Sequence, residues 1–245
     1  MNGAAQDPGQ GRGAGPLLAA AGCAFLLLVM VPAIGYAVAR DAGWLPARPT
    51  NADELALGRE GGLVLFSLAA VAIWAFSRLN PLPLPWRPAA VRSVLATYVP
   101  LAVCWWLLLV GYLRAAQALG LPVVPQDTLQ YFAGADPARP GFWLACTATM
   151  LFAPLAEEIV FRGYLQGALR ASIGPRAAVV AQGLLFGLVH GFAYALPIAL
   201  LGVFFGWLRE RHGSLLAPLV AHAVHNASVA LSTLLFPGSL QWLYT

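Results

Sequence analysis

The sequence predicts an all-α fold, a polytopic transmembrane helical bundle, and three observations carry that expectation. The chain is 60% hydrophobic and only 10% charged, whereas a soluble domain carries roughly 25% charged residues. Its apolar residues gather into about seven runs, at 16–39, 61–77, 93–116, 142–161, 176–192, 194–208 and 215–236, most of them near the roughly 20 residues a helix needs to cross the hydrocarbon core. Arginine-rich connections alternate with arginine-poor or mixed ones. Backbone at membrane depth must satisfy its own polar groups, so such runs should be helices. The 245 residues suit one helical domain. Residues 1–15 are Gly-rich, polar and aperiodic and read as a disordered tail, and 16–245 read as a single integral-membrane domain.

The first run exceeds the 7–15-residue core of a signal peptide. A retained helix is therefore expected, although Ala37-Val38-Ala39 has the form of a cleavage site. Arg12 precedes this run, and the loop at 40–60 mixes arginines with acids. Arg78, Arg87 and Arg92 follow the second run with no acid among them. The connection at 117–141 holds Asp127, Asp136 and only Arg139. Arg162, Arg170 and Arg176 follow the fourth run, and Arg209 and Arg211 the sixth. The positive-inside rule then places the N-terminus in the cytoplasm and the C-terminus outside. A half-helix or re-entrant segment near 120–132 would escape this count. The sixth run is short, and its boundary with the fifth is blurred.

Between the second and third runs, Asn80 to Trp86 alternates proline with other residues and reads as a stiff extended linker. Trp86, Trp207 and Trp242 fall near expected interfaces, as in an aromatic belt, while Trp105 and Trp106 lie mid-run and read as packing. Cys23, Cys104 and Cys146 each lie in an apolar run without CxxC spacing and read as buried small hydrophobes. The net charge is +4 and all 14 basic residues are arginine, but no basic run forms a nucleic-acid patch. No internal repeat supports a transporter of the inverted-repeat kind.

Carboxylates in such apolar surroundings are costly and tend to mark a functional site. Glu157 and Glu158 are adjacent, and Arg162 lies one helical turn after Glu158. On an α-helix Glu158 and Arg162 share a face and can pair, while Glu157 points about 100° away. Glu158 and Arg162 are therefore expected to be structural. Glu157, expected unpaired in an apolar pocket, is the candidate base that activates water, with a buried ion-pair cluster as the alternative. Phe186 and His190 share a face four residues apart. Taken alone, His190 reads as a hydrogen-bonded core histidine. Gly183, Gly187 and Gly191 repeat every four residues and suit a close helix–helix contact that would bring His190 near another helix's polar group. His222 and Asn226 again lie four apart, with His225 rotated away from His222 by about 60°. A His/Asn pair can donate hydrogen bonds to a developing oxyanion. Alternatively, Glu157, His190 and His222 would make a His₂Glu zinc set, although HExxH is absent. No cofactor is required by the residues, and zinc stays open as that alternative. His212, in the polar stretch 209–213, reads as an interfacial loop residue.

The order EExxxR, FxxxH, HxxxN, each in its own apolar run, resembles the CPBP family of intramembrane proteases (CAAX proteases and bacteriocin-processing enzymes), and within it the type II CAAX prenyl endopeptidase. The resemblance covers about 142–236, and the first three runs match only in being apolar. It implies that Glu157, together with His190, activates water, that His222 and Asn226 polarise the scissile carbonyl, and that Glu158, Arg162 and Phe186 support them. It implies an intramembrane endopeptidase acting on a membrane-associated or lipidated protein or peptide, with CAAX-type cleavage after a prenylated cysteine as the inherited activity. Membrane lipid and such a substrate are the expected partners, with no nucleic acid. The expected location is a cell membrane, multi-pass, and the Arg-only composition points to a bacterial inner or plasma membrane. Glu157 near the end of the fourth run places the site toward the cytoplasmic side. Rival readings are a non-catalytic scaffold or bacteriocin-immunity protein, a zinc-dependent form of the same protease, and a transporter using Glu157 as carrier.

Overall fold

The computed structural model describes residues 14–25, 38, 41–43, 84–138 and 140–244. The second expected run at 61–77, nearly all of the tail at 1–15, most of the loop at 40–60, Arg12, Arg78 and the start of the proline linker lie outside the described residues. Every regular element among the described residues is helical: α1 Ala14–Phe25, α2 Val91–Ala118, α3 Asp127–Ala133, α4 Pro140–Thr147, a π-helical segment Ala148–Phe152, α5 Ala153–Glu157, a second π-helical segment Glu158–Leu165, α6 Gln166–Ile173, α7 Pro175–Val189, a 3₁₀ turn Phe192–Tyr194, α8 Ala195–His212, α9 Leu216–Leu235 and α10 Gly238–Tyr244. Two of these helical stretches, Val91–Ala118 and Phe192–His212, are long and apolar enough to cross a membrane. Leu216–Leu235 with Gly238–Tyr244, bent by 104° at their junction, is a third candidate.

Tertiary contacts divide the chain into two compact units. Among the described residues the first comprises 14–25, 84–100 and 155–221, and the second 38, 41–43, 101–138, 140–154 and 222–244. In the first unit, α7 and α8 form a tight antiparallel hairpin. Its closeness follows from glycine: a Cβ on Gly183 would come within 2.6 Å of the Val203 nitrogen. One on Gly187 would run into the Ala195 carbonyl oxygen and within 2.7 Å of the Ala199 nitrogen. From the other side, a Cβ on Gly202 would lie 2.9 Å from the Gly183 Cα. Small residues spaced by four let helix backbones approach in this way. The expected contact thus holds for Gly183 and Gly187. Gly191 serves differently: its φ of 94° makes the turn that separates the fifth and sixth runs, and nothing crowds it.

Helices α1, α6, α7 and α8 pack with the second π-segment in this unit. The irregular stretch 84–90 before α2 is tied down by the turn that starts α9. Leu215 N–H donates to Pro85 O at 2.9 Å, Ser214 Oγ–H donates to Arg87 O, and Ser214 Oγ accepts from Leu216 N–H. In the second unit Phe132, Phe142, Ala145 and Ala230 form a buried cluster, which Tyr131, Met150 and Leu234 extend. Helix α3 supplies Phe132, so the stretch near 120–132 does contain a short helix. The C-terminal helix is held to α2 by Arg114, which donates to Trp242 O and lies 4.9 Å over its ring, and by Gln117, whose Nε2 donates to Leu243 O at 3.0 Å.

Several expectations change. The fourth run does not stop at 161. The helical path continues unbroken from 140 to 173, which places Glu157 near its middle and removes the reason for putting the site at a cytoplasmic end. Arg162 is fully buried, and Arg209 is 7% exposed and paired with Glu210, so neither is a loop charge for the orientation count. Residues 209–212 extend α8 rather than forming a turn, and Gly213, with φ 58°, ends it. His212 is therefore a helix-end residue. Cys23 and Cys104 are exposed and Cys146 is half-buried. An apolar helix face turned to lipid is as favourable for a thiol as a protein core, so an apolar run did not imply burial.

Gly187→Ala should overpack the hairpin and cost about 1–3 kcal/mol, seen as a lower Tm in detergent. Gly111→Ala, on α2 where nothing lies within 4 Å of the added methyl, should not lower it. Equal Tm for both variants would contradict this account of the hairpin.

Candidate active site

The EExxxR motif lies where an α-turn gives way to a π-helical segment beginning at Glu158. π-segments within helices are rare and recur at functional sites. Glu158 and Arg162 form the expected pair, Nη1 to Oε1 at 3.1 Å, with both side chains 0% exposed. The contact is an ion pair whose angle falls short of a hydrogen bond. Arg162 Nη2 donates to Gly202 O at 3.2 Å. The guanidinium lies 4.3 Å over the Phe186 ring and 5.3 Å over that of Phe205. Aromatic faces offer negative potential to a desolvated cation, a contact worth about 2 kcal/mol in that setting.

Arg162 belongs to a polar stripe spaced by four that the motif reading did not include: Glu158, Arg162, Gln166 and Arg170. Gln166 Nε2 donates to Gly206 O at 3.1 Å and to Glu210 Oε1 at 2.9 Å. Arg170 Nη1 lies 3.6 Å from Glu210 Oε2. The rungs 162 to 202, 166 to 206 and 170 to 210 advance together, so this face runs parallel to α8 in register. From α7, the buried Gln182 also donates to Gly202 O, at 2.8 Å. A helical carbonyl keeps a second lone pair after its own helix bond, and Gly202 and Gly206 leave those oxygens uncovered. Sequence reasoning missed Gln166, Gln182, Gly202 and Gly206. Their signals were the continued spacing of four after Arg162 and the second GxxxG, Gly202 to Gly206, matching Gly183 to Gly187.

Phe186 joins the first two motifs. Its ring meets Phe161 edge-on at 5.0 Å, lies beneath Arg162, and meets His190 at 4.6 Å. His190 caps the end of α7, outside the regular helix. Its Nδ1 lies 2.6 Å from Phe186 O. A carbonyl can only accept, so Nδ1 carries the proton of the neutral ring and Nε2 keeps its lone pair. His190 is half-buried. Glu157 is also half-buried, not enclosed, and it takes part in side-chain interactions. The expectation of an unpaired acid is corrected accordingly, since Glu157 does interact with another group. Its half-burial has a local reason: Glu157 precedes the π-segment, and the buried face of that segment begins at Glu158.

His222 and Asn226 lie in the second unit, whereas Glu157 and His190 lie in the first. His222 is buried, at 5% exposure, and Asn226 half-buried. Asn226 Nδ2 donates to Thr149 O, within the first π-segment, at 2.9 Å. His225, 6% exposed, meets the Trp105 ring edge-on at 4.6 Å, which fits the packing expected of Trp105. Among the described residues no group of three or more His, Cys, Asp or Glu side chains could hold a metal ion. The zinc set Glu157, His190 and His222 gains no support from that.

These elements define the class: among the described residues the protein is helical, with helices long and apolar enough to cross a membrane and polar motif residues set along them. Residues 139–228 match the family model described as type II CAAX prenyl endopeptidase Rce1-like. That match covers less than half of the chain and is consistent with the CPBP/CAAX protease family, whose motif order the sequence resembles. No protein of curated function and no solved structure matches the chain.

Removing one partner of a buried ion pair strands the other charge and costs about 3–5 kcal/mol, whereas replacing both by apolar groups is often close to neutral. Arg162→Met should therefore lower stability in detergent by about that amount, and Glu158→Leu combined with Arg162→Met should recover a substantial part of it. A double variant less stable than either single one would overturn this reading of the pair.

Proposed function

We propose that the protein is an intramembrane endopeptidase that hydrolyses a peptide bond in a membrane-associated or lipidated, CAAX-type substrate by an activated water. The observation that carries the reading is that one Rce1-like segment, 139–228, contains all the motif residues: Glu157, Glu158, Arg162, Phe186, His190, His222 and Asn226. In this reading Glu157 takes the proton of the attacking water, assisted by His190 Nε2, whose lone pair is kept available by the Nδ1 bond to Phe186 O. The water oxygen bonds to the scissile carbonyl carbon. His222 and Asn226 donate hydrogen bonds to the oxyanion that results. The C–N bond then breaks, and the proton held by the Glu157/His190 pair passes to the leaving amine. Glu158 and Arg162 hold the helix that carries Glu157 and take no proton.

No step passes through a metal. The protein is read as multi-pass, with about seven spans and a cytoplasmic N-terminus, on the strength of the apolar runs and the unopposed Arg78, Arg87 and Arg92. Its substrate is accordingly a protein or peptide held at the membrane by lipid or apolar anchoring.

The test is cleavage of a panel of lipidated and unlipidated peptides by the purified protein in detergent. Glu157→Gln and His190→Ala should each lower kcat by at least about 100-fold, with the wild-type rate insensitive to chelator. Full cleavage of an identified substrate by Glu157→Gln would falsify the assignment. Activity lost to chelator and restored by zinc would transfer the reading to a metalloenzyme.

A further inference from the structure

Asn226 is bonded to a helical carbonyl that the main chain leaves open, and the cause lies in residue 154. In the π-segment Ala148–Phe152 the Ala153 N–H bonds back to Ala148 O, a step of five residues. The next carbonyl, that of Thr149, would be answered by residue 153 in an α-register or by residue 154 in a π-register. The Ala153 N–H is committed to Ala148 O, and residue 154 is proline, which has no N–H. A carbonyl left without a donor in apolar surroundings is costly. Asn226 Nδ2 supplies the donor, at 2.9 Å. Because a carbonyl only accepts, the bond also determines which way round the amide sits: Nδ2 toward Thr149, Oδ1 away from it. One of the two Nδ2 hydrogens is used here and the second remains. These residues all belong to the second unit.

We infer that Pro154 is a positioning residue for Asn226. It withholds the main-chain donor from Thr149 O, so that this carbonyl stays available to orient the Asn226 amide and present its second N–H to the substrate carbonyl. The inference rests on the reading of Asn226 as an oxyanion donor, and it adds a device that the three motifs do not contain. In Pro154→Ala the new N–H can bond Thr149 O within the helix and compete with Asn226.

Two measurements on the full chain in detergent micelles test it. The first is NMR of the Asn226 side-chain amide and the Thr149 carbonyl carbon. One Asn226 Nδ2 proton should exchange at least about tenfold more slowly than an exposed amide, Asn226→Ala should move the Thr149 carbonyl signal, and Pro154→Ala should return the amide to fast exchange. The second is cleavage of a farnesylated CAAX reporter peptide. Pro154→Ala should lower kcat by about tenfold or more with KM little changed, and should add nothing to the loss in Asn226→Ala. Unchanged Asn226 exchange in Pro154→Ala overturns the inference, as do cleavage losses that multiply in the double variant. If Pro154→Ala does not fold, an unmoved Thr149 signal in Asn226→Ala overturns it and a moved one supports it. Wild-type rates in Asn226→Ala would remove the catalytic reading alone, leaving the exchange result to decide whether Pro154 orients the amide. The exchange result also decides if the peptide is not cleaved.

Discussion

A guanidinium with no exposed surface, set among phenylalanines, has to have its charge and its donors answered from within the protein, and much of the first unit is organised around doing so for Arg162. Glu158 supplies the counter-charge and Gly202 O an acceptor, while Phe186 and Phe205 cover the planar faces. The contacts come from three parts of the chain: the same helix, the facing helix α8, which supplies both Gly202 and Phe205, and the helix α7 that ends in His190. Arg162 therefore couples the two motif helices through a charge that would be very costly to strand. Phe186 serves twice, beneath the guanidinium and against the imidazole, so the placement of His190 depends on the same arrangement.

That arrangement requires helix backbones closer than ordinary side chains permit. Gly183 and Gly187 face Gly202, Val203 and Ala199 at distances that exclude a Cβ. The same absence of side chains uncovers the carbonyl oxygens of Gly202 and Gly206, which become acceptors for Arg162, Gln182 and Gln166. Close packing and polar satisfaction thus coincide for three buried donors, Arg162 Nη2, Gln166 Nε2 and Gln182 Nε2, which are matched by backbone acceptors that glycine leaves accessible.

The two π-segments add a second source of backbone groups. A helix that steps from four-residue to five-residue bonding changes which carbonyls are answered internally. Where Ala153 bonds Ala148 O and proline follows, Thr149 O is met by a side chain from another helix. His190 uses the related opening at a helix end, where its own Nδ1 takes the Phe186 carbonyl.

Much of this was legible in the residues. The apolar composition and segmented runs require helices, and every regular element described is one. The spacing of Glu158 and Arg162 predicted their pairing, and that of Gly183 and Gly187 predicted a close contact. Helix boundaries were less legible. Hydropathy ends a run at the first charges, so it placed Arg162 and Arg209 in loops although both are buried and paired within helices. Register was not legible at all, since α- and π-turns share their composition and differ in which N–H meets which C=O. The sequence by itself determined the chemistry available, the helical class and the residues spaced by four, because these follow from local geometry and the cost of unsatisfied groups in an apolar medium. Tertiary structure alone decided that Arg162 meets Phe186 and Gly202, that Gln166 and Gln182 reach α8, and that Thr149 receives Asn226. Those contacts join residues far apart in the chain, and only the packed helices determine which open acceptor lies within reach of which buried donor.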